Sequence, residues 1–272
     1  MIKAIFFDLD GTLLNSKKQI QPSAISALKK CKEKNIKIFI STARAPMLDK
    51  MLGFDKETID LFDGGVYCNG AVIKTNKINT YHYISANIVK TIVELVNNYL
   101  DVHVALHLTN DHHSFNHYLP DEMLGPWGLE RDEILPFGEY PFSNAAKIII
   151  YYEYLVGANQ LLPEQLYKDI ISTSSNNANI YLQDKGKTIQ IADKNISKLS
   201  AIKDVIETYG FTDDEIAVFG DDINDNEMLS YFKNSVAMGN AIPEVKEIAT
   251  HITHSNDSEG ISFALEHILK AI

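Results

Sequence analysis

Cysteine is scarce: Cys31 and Cys68 are the only two in 272 residues, and they lack the CxxC spacing of a metal or redox pair. A disulfide framework is therefore excluded, and both read as small core fillers in a reducing compartment. No apolar run approaches the ~20 residues that a membrane helix needs. The stretch MIKAIFFDLD has no small-residue cleavage site and its apolar part stops at acids, so no signal peptide is expected. Positive charge is in deficit, with 25 Lys and Arg against 36 Asp and Glu, net −11, and there is no basic run or RG-rich tail. That balance argues against nucleic acid or an anionic membrane as partner. Repeats and low-complexity segments are absent. The expectation is a cytoplasmic protein with no obligate protein partner, in which any anionic substrate must be met by a local cation.

What is present is an ordinary globular composition, 45% hydrophobic and 22% charged, on a chain long enough for two domains. AIFFDL (4–9) reads as a buried strand, Pro22 to Lys34 as a helix, and IKIFIS (36–41) as a second strand. A short helix is expected after Thr42, and GGVYCNGAVI (64–73) reads as a strand with a turn at Asn69-Gly70. Short apolar strands alternating with helices predict a doubly wound parallel, Rossmann-like α/β sheet. The middle differs. It holds a helix (Ala86–Tyr99), the alternating strand VHVALHL (102–108), a polar loop from Thr109 to Asn144, the strand KIIIYYEYL, a helix from Pro163 to Ser172, and the strands NIYLQD and TIQIAD. Strands with one polar face suggest an antiparallel α+β module. From Ser197 the first style returns, with a capped helix to Tyr209, a stop at Gly210 and the strand IAVFG. The expected organisation is a core of residues 1–81 and 192–272 with an α+β cap, 82–191, inserted between them.

Four polar groups follow predicted core strands or open helices, and that edge of an open α/β sheet is where ligands bind. They are Asp8-Leu9-Asp10-Gly11-Thr12, Ser41-Thr42-Ala43-Arg44, Ser197-Lys198, and Gly220-Asp221-Asp222-Ile223-Asn224-Asp225. Asp8 and Asp10, two apart in extended chain, project to one side. With Asp221 and Asp225 they predict a cluster of four acids, stable only if protonated or if it holds a hard cation such as Mg²⁺. Thr42, read as a helix start, favours an anion, and Lys198 supplies a point charge to phosphate. Acids, Mg²⁺ and lysine together predict a phosphoryl site. Asp222 is expected to turn away, and Arg44 to pair with a nearby carboxylate.

DLDGT, STAR, SK and GDDIND, in this order, resemble the four motifs of the haloacid dehalogenase (HAD) superfamily. CNGAVI (68–73), NDNEML (224–229), VAMGNAIPEVK (236–246) and SNDSEGI (255–261) are similar to its Cof-type branch. The resemblance implies Asp8 as nucleophile, forming an aspartyl phosphate, and Asp10 as acid and then base. It implies Mg²⁺ on the Asp8 and Asp221 side chains and the Asp10 carbonyl, with Asp225 behind them. Thr42, Lys198, Asn224 and the backbone N–H groups of Leu9 and Ala43 would hold phosphate. Two positions depart from the common pattern: Ala43 and Leu199 stand where glycine is usual. The implied activity is hydrolysis of a small phosphorylated metabolite, such as a sugar phosphate. A phosphomutase is the enzymatic alternative, and a receiver-like or phospho-ligand-binding module the non-catalytic one.

Five of nine histidines lie between His103 and His117. HxxxH here falls on a strand, so no metal is assigned to it. In VHVALHL the apolar residues share one face, and His103, Ala105 and His107 share the other. That second face is either solvent-facing or a contact for the leaving group.

Overall fold

The structure is a computed structural model and describes residues 1–152, 160–174, 176–183 and 186–272. The chain divides into two compact units, Met1–Thr80 with Ser197–Ile272, and Tyr81–Ile196.

The strands Ala4–Phe7 and Ile216–Gly220 of the first unit are apolar and buried throughout, because a strand covered on both faces has no polar side to show. Its first segment gives β1 (Ala4–Phe7), β2 (Lys37–Ser41), β3 (Gly64–Tyr67), β4 (Val72–Thr75) and β5 (Asn79–Tyr81). The second unit gives β6 (Val102–Leu108), β7 (His113–Phe115), β8 (Ala145–Tyr152), β9 (Ala178–Gln183) and β10 (Thr188–Asp193). After the return come β11 (Ile216–Gly220), β12 (Asn234–Ala237) and β13 (His251–Ile252). Among the described residues the first sheet runs β13-β12-β11-β1-β2-β3-β4-β5, parallel from β13 to β3 and antiparallel at β3–β4. β5 and β13 carry no alternation or apolar run in the sequence and are additions to the predicted pattern.

At the centre, Ala4 to Phe7 register against Ile216 to Phe219 on one side and Lys37 to Ile40 on the other. Phe7 packs on Phe219 with ring centroids 4.7 Å apart, and Phe6 stacks on Phe39 at 4.9 Å. The Asp8 N–H still donates to the Phe219 carbonyl, 3.1 Å, so the ladder carries Asp8 to the side of Gly220 and Asp221 before the chain turns. The helices Pro22–Glu33 and Lys198–Tyr209 pack beside this sheet with their apolar stripes buried. Ser197 caps the second, accepting from the Ser200 N–H, and Gly210 closes it in the left-handed region at φ 73°.

Among the described residues of the second unit the sheet order is β7-β6-β8-β10-β9, antiparallel at β6–β7, β6–β8, β8–β10 and β9–β10. Val102, Val104, Leu106 and Leu108 point to one face with Ile148, Ile150, Ile189 and Ile191, and the helices Ala86–Val96 and Glu164–Ser174 cover it. Residues 153–155 of the predicted strand KIIIYYEYL and residue 184 of NIYLQD lie outside the described residues.

Two expectations are corrected. The segment 109–144 is not a plain polar loop: His113–Phe115 pairs antiparallel with Ala105–His107, and short helices cover Leu124–Trp127 and Glu139–Ser143. Within the histidine-rich stretch His113–Phe115 is buried, and Trp127 meets His113 and Phe115 edge-on, at 5.9 and 5.1 Å. Nor does a helix open at Thr42; the next begins at Leu48. Pro46 disfavours helical backbone at Ala45, and the Thr42 hydroxyl accepts from the Arg44 N–H, 3.1 Å, making a local turn instead. Among the described residues no helix is long and apolar enough to cross a membrane.

Candidate active site

Parallel strands bring their C-terminal ends to one edge, and there the first unit gathers Asp8 after β1, Thr42 after β2, Asn69 after β3 and Asp221 after β11. Asp8, Asp221 and Asp225 each place a carboxylate oxygen within 4.8 Å of the others. Lys198 reaches in from the first turn of its helix, with Nζ 2.7 Å from Asp8 Oδ1 and 2.6 Å from Asp225 Oδ1. Its side chain is 1% exposed, so this ion-paired trio is dry. A lysine at a helix N-terminus opposes the helix dipole, and the two carboxylates offset that cost.

Asp10 stands outside the acid group, contrary to the expected four-acid cluster. The chain leaves extended geometry after Phe7: the Thr12 N–H bonds the Leu9 carbonyl, the Leu14 N–H does the same, and Gly11 takes φ 84°. Residues 8 and 10 therefore do not share a strand face. The Asp10 carboxylate instead accepts from Arg44, Nε to Oδ2 at 2.6 Å and Nη2 to Oδ1 at 2.7 Å, and from Lys18 Nζ at 2.6 Å.

The surplus of carboxylates over ammonium sets the site's electrostatics. Burial pushes the Asp8 carboxyl well above the ordinary range; Lys198 opposes this, and the charges of Asp225 and Asp221 add to it. Burial and Asp225 raise Asp221 to about 7, against the Thr12 hydroxyl and Lys198. Burial works against the charge of Lys198, but Asp225 and Asp8 outweigh it and hold the ammonium above the ordinary lysine value. Asp10 goes the other way: burial opposes its charge, but Arg44 and then Lys18 outweigh it and lower the carboxyl. Three clustered carboxylates whose shared negative charge is incompletely neutralised are a fitting donor set for a hard divalent cation.

Several supporting contacts have no counterpart in the sequence reading. Thr12, fully buried, donates from Oγ1 to Asp221 Oδ1 at 2.9 Å. A Cβ on Gly11 would overlap the same Asp221 carboxylate, so glycine is required there for space as well as for φ. Asp225 Oδ2 accepts from the Asp221 and Asp222 N–H groups, 3.0 and 3.2 Å, which folds the loop after β11 around it. Asn69 is 1% exposed with φ 55°; its N–H donates to the Thr42 carbonyl at 3.0 Å, and its side chain accepts from Asn224 Nδ2 at 2.9 Å. The Asn69-Gly70 turn signal was visible in the sequence, but not this brace between Thr42 and Asn224.

Thr42 is buried with its N–H already given to the Val66 carbonyl, 2.9 Å, while Leu9 is fully buried in the turn and Ala43 is half-buried. Asp222 is exposed and caps the short turn Ile223–Asp225. His103 and His107 belong to the second unit. His107 is fully buried, with Nδ1 3.3 Å from His113 Nε2 and Nε2 3.4 Å from Asp111, so a solvent-facing reading does not hold for it. His103 stacks on His117 with ring centroids 3.9 Å apart.

Residues 5–265 match the haloacid dehalogenase-like hydrolase family. The phosphatase YcsE of Bacillus subtilis, which acts on 5-amino-6-(5-phospho-D-ribitylamino)uracil, is 26% identical over 268 residues, 98% of this chain and 95% of that protein. Phosphatase YwpJ of the same organism is 24% identical over 288 residues, 98% and 100% of the two chains. Among solved structures, the HAD subclass IIB sugar phosphatase BT4131 superposes with a TM-score of 0.77 at 26% identity, over 99% of this chain and 100% of that one. BT1666 from Bacteroides thetaiotaomicron, a HAD phosphatase, gives 0.74 at 26%, over 100% and 96%. The chain belongs to the haloacid dehalogenase-like hydrolases. Within that family it is a phosphoric monoester hydrolase, similar to phosphatases that include the subclass IIB enzyme BT4131.

Proposed function

We propose that the protein is a Mg²⁺-dependent phosphatase of the cytoplasm that hydrolyses small phosphorylated metabolites, sugar phosphates foremost, through an aspartyl phosphate on Asp8. The observation that carries this reading is the dry trio of Asp8, Lys198 and Asp225 beside Asp221. It offers one carboxylate as nucleophile, one fixed ammonium for phosphoryl oxygens, and an acid set suited to Mg²⁺. Asp8 and Asp221 would hold the cation by their side chains, with the Asp10 carbonyl as a third donor. Bound there, Mg²⁺ supplies the charge neutralisation that phosphoryl transfer requires.

The chain's own residues do the rest. Lys198 orients Asp8 and offsets phosphoryl charge, while Asp225 holds Lys198 and the Asp221 backbone in place. Thr42, Asn224 and the Leu9 and Ala43 N–H groups bind the phosphoryl oxygens, and Asn69 braces two of these. Asp10, which must first take up a proton against the pull of Arg44 and Lys18, gives it to the leaving oxygen and then takes one from water. Residues 1–81 and 192–272 form the catalytic core, and the inserted segment 82–191 selects the leaving group, with His103 as a candidate within it; His107, fully buried against His113, is not one. Cys31 and Cys68 are both buried and are not joined in a disulfide, which agrees with a reducing compartment. A panel of phosphorylated metabolites assayed for free phosphate, with Mg²⁺ and with chelator, tests the reading. Release from sugar monophosphates that stops with chelator and in Asp8→Asn is the expected result, and no turnover on any member overturns it.

A further inference from the structure

The Arg44 guanidinium grips Asp10 at two points, 2.6 Å from Nε to Oδ2 and 2.7 Å from Nη2 to Oδ1. A planar fork of this kind fixes the plane of the carboxylate as well as its distance, which a single ammonium does not. Lys18, the second cation on Asp10, is such an ammonium and its side chain is 56% exposed, against 23% for Arg44. The backbone of Arg44 is itself held twice. Its N–H donates to Thr42 Oγ1 at 3.1 Å, and its carbonyl accepts from the Cys68 N–H at 2.9 Å. The loop carrying Thr42 thus also delivers the group that aims Asp10, so the two are placed by one piece of backbone.

We infer that Arg44 is a positioning residue for Asp10, setting the plane and reach with which that carboxylate moves protons in the reaction. The inference rests on the phosphatase reading above. In the first half, an Asp8 oxygen bonds phosphorus, the bond from phosphorus to the leaving oxygen breaks, and that oxygen takes the proton of Asp10. In the second, Asp10 removes a proton from water, the water oxygen bonds phosphorus, and Asp8 and phosphate separate. For Asp10 to present or receive the proton on Oδ1, that oxygen releases Arg44 Nη2 and Lys18 Nζ, while Oδ2 keeps the Arg44 Nε hydrogen bond. Arg44 acts on neither phosphorus nor the leaving oxygen.

The test is a double-mutant cycle of Arg44→Ala and Asp10→Asn, with Arg44→Lys as a second variant. Formation and breakdown of phosphoenzyme are followed by rapid quench, using glucose 6-phosphate and 4-nitrophenyl phosphate, whose leaving group departs without a proton. Misplacing a catalytic group by about 1 Å costs on the order of a hundredfold, which is the loss of kcat expected for Arg44→Ala on the sugar phosphate. KM should change less than about threefold, because substrate binding is untouched. Phosphoenzyme formation from 4-nitrophenyl phosphate should fall less than about fivefold, since the proton donor contributes little there. In the Asp10→Asn background, Arg44→Ala should cost nothing further. Arg44→Lys keeps charge without the fork and should stay at least about tenfold slow with an unchanged melting curve. Additive losses in the cycle, or equal losses on both substrates, overturn the inference; should Arg44→Ala fail to fold, Arg44→Lys runs the same cycle. Absence of turnover by the unsubstituted enzyme on either compound and on the metabolite panel overturns the phosphatase reading instead.

Discussion

Lys198 Nζ lies 2.7 Å from Asp8 Oδ1, an ion pair that joins positions 190 apart in the chain and is almost wholly out of water. Replacing Lys198 by Met removes the ammonium and leaves Asp8 and Asp225 buried without their cation. Breaking a buried pair in this way costs about 3–5 kcal/mol. Urea unfolding of Lys198→Met should show a loss of that size together with loss of turnover, and a stability within about 1 kcal/mol of the parent would contradict it.

Asp8→Asn has the opposite signature. Burial, and after it the charges of Asp225 and Asp221, hold the Asp8 carboxyl well above the ordinary range against the pull of Lys198. Removing that charge relieves the crowding and removes the nucleophile. Turnover should fall at least a thousandfold, on the order of what loss of a nucleophile costs elsewhere. The melting temperature should hold or rise. A melting temperature well below the parent's would count against the electrostatic account.

The fit of the acid group to a divalent cation is measurable without any substrate. At a hundred times its dissociation constant a ligand adds about 2.7 kcal/mol, which raises the melting temperature of a chain this size by roughly 5–10 °C. Gly11→Ala forces strain at φ 84° and pushes a Cβ into Asp221. More than half of the Mg²⁺-induced rise should vanish in that variant. A full rise in Gly11→Ala would show that the close approach of Gly11 to Asp221 does not matter for the cation.

The inserted unit should be acid-sensitive. Burial, and then the charge of His103, lower His117 to about 4. His113 is held well below the ordinary histidine value by burial and then by His107. A lowered folded value means that the unfolded chain takes up protons first as pH falls from about 6.5, so stability present above pH 6.5 is lost on the way down to about 4. The melting temperature should decline across that window, and His117→Gln should make the decline shallower between pH 6.5 and 5. Identical slopes in parent and variant would refute the assignment.

Much of the core was legible because parallel strands buried on both faces read as apolar runs, as AIFF, IAVFG and the IFI of KIFIS do. The motif residues at their ends then declared themselves by chemistry. What the sequence did not show is pairing across distance. The Thr12–Asp221 and Asn69–Asn224 bonds span 209 and 155 positions, and neither partner's type predicts the other. Strand alternation stops at the turn after β1, so spacing alone predicts four acids together where the structure gathers Asp8, Asp221 and Asp225. The histidine-rich segment reads as loop because Trp127, which packs on His113 and Phe115, lies more than ten positions downstream, where no short-range period links it to them.

The pairing of β1 with β11, Ala4 against Ile216, has a consequence for synthesis. The central strand of the first sheet lacks one neighbour until residues beyond 216 have left the ribosome. The unit Tyr81–Ile196 is continuous in sequence and has no such wait. During translation the inserted unit is thus free to complete its own sheet while the flanking segment still exposes an apolar strand edge, a surface on which nascent chains aggregate. The acids and lysine of the site come from both parts of the core, so they can meet only after residues 198–225 have been made.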